Sequence, residues 1–60
     1  MKKTYHVFTT KDSYNSTHHA EALLMFNLYK KTNDQVRMYE IVTNEGTITQ
    51  DKCIMHYDKE

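Results

Sequence analysis

Four histidines and one cysteine are the side chains of this sequence best suited to metal binding: His6, His18, His19, Cys53 and His56. Cys53 and His56 have the Cys-x-x-His spacing of half a zinc site, but a tetrahedral site needs four ligands and the sequence has no Cys-x-x-Cys pair to anchor it. Residues three apart on a regular strand also point to opposite faces. We therefore expect no metal site and no cofactor, and we expect Cys53 to be a small core residue.

The same side chains could supply a nucleophile and a base. Cys53 lies three residues before a histidine, and Ser13 and Ser16 precede His18 and His19. Nucleophilic catalysis also needs a concave pocket that excludes water, and a chain of 60 residues has little volume for one. We expect no enzymatic activity.

The alternation of apolar and polar residues predicts the strands. Residues 4–10 and residues 35–43 show the period of two that is typical of a strand, and the second run is polar on neither face. Residues 47–57 resume the pattern after an interruption at residues 50–52. Either this third strand is long and bulged, or a turn divides it and makes a fourth strand, and we favour one long or broken third strand.

Polar turn-forming residues separate these segments. Residues 11–15 predict a turn, and the side chains of residues 15–17 offer an oxygen that could cap the helix that follows. Residues 44–46 predict a short hairpin loop with Gly46 in the left-handed conformation.

Residues 20–31 predict a helix that stops at residues 32–34, because they are rich in helix formers and are followed by Thr-Asn-Asp. At 100° per residue, its apolar side chains cover two sides. We expect one side to pack on the sheet and the second to need a partner. The first side holds Ala20, Leu23, Leu24 and Leu28, and the second holds Ala22, Met25, Phe26 and Tyr29.

The predicted architecture is a single α+β domain over residues 1–60, in the order β-α-β-β, with one helix packed on a three-stranded, mainly antiparallel sheet. A chain of this size buries only about 60% of its unfolded surface. With one cysteine it forms no internal disulfide. Because the sheet would also have two open edges, we expect a homodimer to complete the core.

Eight basic and eight acidic residues give no net charge that would attract a nucleic acid or an anionic membrane. Five tyrosines and two phenylalanines could nevertheless stack bases on an open sheet. A small nucleic-acid-binding regulator is therefore the alternative function. No segment is apolar enough for a signal peptide or a membrane span, so we expect the protein in the cytoplasm.

Three features carry a family resemblance: the Met-Lys-Lys-x-Tyr start, the Thr-x-x-x-Glu-Ala-Leu segment from Thr17 to Leu23, and the Lys, Asn, Thr, Tyr and Ile bias. In these the chain resembles short cytoplasmic proteins of bacteriophages and other mobile elements of low-G+C bacteria. The resemblance implies a stoichiometric binder that inhibits a host protein, including host defence proteins. We therefore expect a non-enzymatic protein-binding module that acts as a homodimer. The expected partner or dimer interface consists of Tyr14, Ala22, Met25, Phe26, Tyr29 and Arg37.

Overall fold

A computed structural model describes residues 1–59, which form one helix on one side of a four-stranded antiparallel sheet. The elements are β1 (Lys2–Phe8), β2 (Ser13–Ser16), α1 (His19–Lys30), β3 (Gln35–Asn44) and β4 (Thr47–Asp58). The strands lie side by side in the order β2-β1-β3-β4. The α+β class and the single helix are confirmed, but the predicted number of three strands is wrong.

The additional strand, β2, includes residues 13–15, so the predicted turn over residues 11–15 is wrong for its second part. The chain reverses at Thr9, whose Oγ1 accepts hydrogen bonds from the backbone N–H of Lys11 (3.0 Å) and of Asp12 (2.9 Å). Ser13–Ser16 is thereby free to pair with β1. These polar residues favour turns by themselves, and it is the neighbouring strand that makes them extended.

β4 is one strand of 12 residues with two shifts in its pairing to β3. At one shift, Met38 pairs with Met55 while Tyr39 pairs with Cys53, so that Ile54 is an extra residue in the ladder. This is the geometry of a β-bulge. The long, irregular strand is therefore confirmed over two separate strands.

The β3–β4 hairpin turns at Glu45 (φ 52°) and Gly46 (φ 82°). Two consecutive positive φ angles are the requirement of a type I′ turn, whose twist matches that of the flanking strands. Gly46 adopts this conformation without a steric penalty, as predicted. Glu45 does so at a cost of about 1–2 kcal/mol, because its Cβ approaches the following carbonyl oxygen.

Helix α1 begins at an N-cap residue, His18, that makes no capping side-chain hydrogen bond. The predicted capping by residues 15–17 is not found, and Ser16 Oγ instead accepts from the His18 N–H (3.0 Å). The predicted stop is confirmed: the backbone and side-chain N–H groups of Asn33 both donate to the Tyr29 carbonyl, at 2.9 and 3.1 Å.

The hydrophobic core lies between α1 and the sheet. On the helix, Ala22 and Phe26 are buried (0% and 2% exposed), whereas Leu24 and Leu28 are 60% and 44% exposed. The prediction that the leucine side packs on the sheet is therefore wrong. Periodicity identifies which residues share a side of a helix, but packing decides which side is buried. Here the small Ala22 admits a close approach to the sheet and the Phe26 ring fills the space beside it. The core residues are Tyr5, Val7, Ala22, Phe26, Val36 and Met38.

We expect Phe26→Ala to lower the free energy of unfolding by about 3–5 kcal/mol, because it leaves a cavity in the core. Leu24→Ala should change it by no more than about 0.5 kcal/mol, because Leu24 faces water. Urea denaturation followed by circular dichroism measures both. Equal losses in the two variants would contradict the observed orientation of α1.

We expect Glu45→Asn to raise the free energy of unfolding by about 0.5–1 kcal/mol, because asparagine tolerates the left-handed conformation better than glutamate does. Glu40→Asn, at a position that lies within β3, is the control and should destabilise the protein. An unchanged or lower thermal midpoint for Glu45→Asn would contradict the strained turn.

Candidate functional site

One side of the sheet is left without a helix. Val36 and Met38 of β3 point towards α1 and are fully buried, and the residues between and after them, Arg37, Tyr39 and Ile41, point the other way. Because side chains alternate along a strand, every second side chain of the neighbouring strands also lies on this side of the sheet. We call this side the helix-free face. Its centre consists of His6, Phe8, Tyr39 and Ile41.

The strand register places these central side chains in contact. Tyr39 lies opposite His6 of β1 on one side and Cys53 of β4 on the other. The rings of Phe8 and Tyr39 stack with their centroids 5.5 Å apart and their planes at 25°. Phe8 is 38% exposed, so this aromatic pair is open to a partner.

An ion pair closes one end of the helix-free face. Arg37 Nη2 donates to Asp58 Oδ1 at 2.9 Å, and Arg37 Nη1 donates to the Val36 and Tyr57 carbonyls. His56 Nδ1 lies 3.3 Å from Asp58 Oδ2. The hydrogen bond from Arg37, helped by the nearby His56, lowers the pKa of the Asp58 carboxyl below its ordinary value of 3.8. The guanidinium is therefore held by groups of its own chain.

The rest of the rim of the helix-free face has balanced charges, and it carries one exposed apolar side chain, Ile48, which the register places opposite Thr43. The register places Lys2 and Asp51 on the same side of the sheet as Tyr39, towards the other end. Together with Arg37 and Asp58, this gives two positive and two negative side chains. Such a face neither attracts nor repels a strongly charged partner.

A second apolar surface lies on the opposite side of the molecule. Leu24 and Leu28, one helical turn apart, point away from the sheet. The half-buried Met25 lies beside them, and Ala20 continues the row towards the start of α1. We call Ala20, Leu24, Met25 and Leu28 the outer helix strip.

Tyr14 joins β2 to the helix at one flank of the outer helix strip. Its hydroxyl donates to Glu21 Oε1 at 3.0 Å, and this hydrogen bond raises the pKa of the Tyr14 hydroxyl. At the other flank, Lys30 Nζ lies 5.8 Å from the centroid of the Phe26 ring and 5.3 Å from that of Tyr57. Both contacts hold α1 in place on the sheet.

The six residues predicted as an interface do not form one surface. Ala22 and Phe26 are buried in the core and are not part of the molecular surface. Tyr14, Met25 and Tyr29 are half-buried on the helix side, and Arg37 is on the helix-free face. The exposed or partly exposed residues Phe8, Leu24, Leu28 and Tyr39 are not among the six. For Tyr39 a signal existed, because the segment that became β3 has no polar face.

The histidines and the cysteine are spread over the molecule. His6 and His56 are on the sheet, His18 and His19 are at the start of α1, and His19 contacts the Tyr5 ring edge-on at 5.1 Å. Within residues 1–59, no three side chains of His, Cys, Asp or Glu come together as a metal-binding group. Cys53 is exposed on β4, so its prediction as a core residue is wrong. The β-bulge at Ile54 turns Cys53 away from α1 and puts Ile54 against the core.

Two clefts formed by the described residues lie away from the outer helix strip. The smaller, of about 140 Å³, lies at the Phe8 and Arg37 end of the helix-free face. The larger, of about 500 Å³, is open and polar and lies between the β1–β2 loop and the α1–β3 turn; none of its lining residues is a histidine, cysteine or serine. No helix in the described part of the chain has the length and hydropathy that a membrane crossing requires.

Comparisons with known proteins found no matching family model, no matching curated protein and no matching solved structure.

We expect Arg37→Gln to raise the pKa of the Asp58 carboxyl towards 3.8, because it removes the main hydrogen bond that stabilises the carboxylate. A carboxyl whose pKa is lowered by folding stabilises the protein above its unfolded-state pKa, and this contribution is lost as the pH falls through the lowered value. NMR titration of the Asp58 side chain measures the shift. The matched control Lys52→Gln, on the other face of β4, should leave that pKa unchanged, and equal titration curves for wild type and Arg37→Gln would contradict the ion pair.

Proposed function

We propose that this protein is a non-enzymatic protein-binding module that inserts its outer helix strip into an apolar groove on a larger protein. The observation that carries the proposal is the exposure of Leu24 (60%) and Leu28 (44%), two large apolar side chains one turn apart on the same side of α1. Apolar anchors spaced three or four residues apart are how an amphipathic helix is recognised in a groove.

The packing of α1 on the sheet favours tight binding by the outer helix strip. Phe26 and Ala22 fix α1 on the sheet, and the Tyr14–Glu21 hydrogen bond fixes one flank. A helix that is already formed and oriented loses little conformational entropy when it binds. The charged residues Glu21 and Lys31, near the two ends of the strip, supply a polar rim that would set its register in a groove.

A module of this kind acts by occupying a surface on its partner, one chain for each site. The resemblance to short phage and mobile-element proteins supports a host protein as the partner and inhibition as the outcome. The balanced charge of the chain agrees with a protein partner, since it provides no general attraction for a polyanion.

Binding of single-stranded nucleic acid is the second candidate, favoured by the stacked and accessible Phe8 and Tyr39 on an open antiparallel sheet. Against it, Arg37 is already paired with Asp58, and the face has as many acidic as basic side chains. Fluorescence anisotropy with labelled DNA and RNA oligonucleotides at low salt tests this function. Tight binding that weakens steeply with added salt would favour nucleic acid over protein as the ligand.

The protein-binding function is tested with the double variant Leu24→Gln/Leu28→Gln, which keeps the helix propensity and removes both anchors. The matched control is Ile48→Gln, because Ile48 is equally exposed (59%) but lies on β4 on the opposite side of the molecule, at the hairpin end of the helix-free face. Both variants should fold as the wild type does. In quantitative affinity capture from host lysate, the wild type and Ile48→Gln should enrich the same protein, and the double variant should lose it.

Titration of that protein, once purified, should show at least about a tenfold weaker dissociation constant for the double variant, as expected for truncated anchor residues. Equal affinities for the wild type and the double variant would contradict the outer helix strip as the binding surface.

A further inference from the structure

We propose that the helix-free face is the interface of a homodimer, in which two copies of the chain pack these faces against each other. This inference goes beyond the proposed function, because it concerns the side of the molecule opposite to the outer helix strip. A partner protein on the strip and a second copy on the face would therefore not compete.

The size of the face fits a dimer of modest affinity. The molecule extends 39 × 18 × 17 Å, and its longest dimension matches the length of the 12-residue strand β4, so a face that contains this strand measures at most about 39 by 18 Å. A rectangle of 39 by 18 Å gives at most about 700 Å² per copy and about 1,400 Å² in total, above the roughly 1,000 Å² that a specific interface needs. The hairpin end extends beyond β2, so the contact would be smaller than this rectangle.

The chemistry of the face fits a second copy better than a charged ligand. Its centre is apolar and aromatic, with Phe8, Tyr39 and Ile41, and its rim is mainly polar, as in interfaces between proteins, with Ile48 as one further apolar side chain at the hairpin end. The two basic side chains, Lys2 and Arg37, are balanced by Asp51 and Asp58. Two such faces meet without the repulsion that a net charge would bring to any like-with-like contact.

Covering this face would also stabilise the fold of each chain. Only seven hydrophobic side chains are buried within residues 1–59, and Cys53 is free, so neither a large core nor an internal disulfide stabilises the domain. Sheet-on-sheet packing would bury Tyr39 and Ile41, which are half-buried in the single chain. Two sheets that pack face to face lie about 10 Å apart with interdigitating side chains.

In this arrangement each helix lies on the outside of a four-layer dimer, in the order helix, sheet, sheet, helix. Both outer helix strips remain accessible and point in opposite directions. The dimer would therefore carry two identical binding sites, which an oligomeric or multivalent partner could use for avidity.

Analytical ultracentrifugation of the wild type from micromolar to near-millimolar concentration is the first test, and we expect a reversible monomer–dimer equilibrium. Tyr39→Lys places a charge at the centre of the face in both copies, and it should raise the dimer dissociation constant at least about tenfold. The matched control Leu24→Lys puts the same charge on the opposite side and should leave the equilibrium unchanged. Phe8→Lys is the second variant, for use if Tyr39→Lys does not fold.

Isotope-filtered NOE spectra of a mixed labelled and unlabelled sample then locate the contact. Cross-peaks between copies from the Tyr39 ring and the Ile41 methyl groups support the proposal. A wild-type protein that stays monomeric over the whole range overturns it, and so do contacts made only by Leu24 and Leu28 or only by the β4 backbone. A Tyr39→Lys variant that is monomeric and still captures the partner protein would leave the proposed function uncontradicted. The dimer proposal and the proposed function can therefore be contradicted independently of each other.

Discussion

The pleat of a four-stranded sheet that carries a single helix is the constraint on which this structure depends. Each strand residue points to one of two sides, and one helix of 12 residues covers only one of them. In β3, Val36 and Met38 are fully buried beneath α1, while Arg37 and Tyr39 face away from it. Because β3 is rich in large side chains on both sides, the helix satisfies one set and leaves the other at the surface. The helix-free face therefore results from the topology, because a single helix covers only one side of the sheet.

The same constraint determines which side of α1 is buried and which is exposed. The space above the sheet accepts Ala22 and Phe26, which places Leu24 and Leu28 on the outside. The molecule thus has two apolar surfaces, separated by the thickness of its core. A partner that contacts the outer helix strip does not reach the helix-free face. Two-layer domains with one helix layer have this property in general, and here both layers carry side chains suited to contact with another protein.

The distribution of charged residues favours some classes of partner over others. The acidic and basic residues are equal in number, and Arg37 on the helix-free face already donates to Asp58 and to two carbonyl groups. A surface that binds nucleic acid usually leaves its cations free to replace counterions at the phosphates. The ion pair instead joins the C-terminal end of β4 to β3. These properties favour recognition by shape and apolar contact over recognition by charge.

The sequence by itself determined the α+β class, the helix and its stop before Asn33, the strand-like segments of β1, β3 and β4, and the turn at Gly46, because each depends on local periodicity or on a backbone conformation that few residues tolerate. It also indicated that β3 has no polar face. Only the tertiary structure decided that Ser13–Ser16 is a strand, since polar residues become extended there by pairing with β1. Tertiary packing likewise decided which side of α1 is buried and where Cys53 points. Local sequence gives each element its two sides, but the choice between them depends on which combination of side chains fills the shared core.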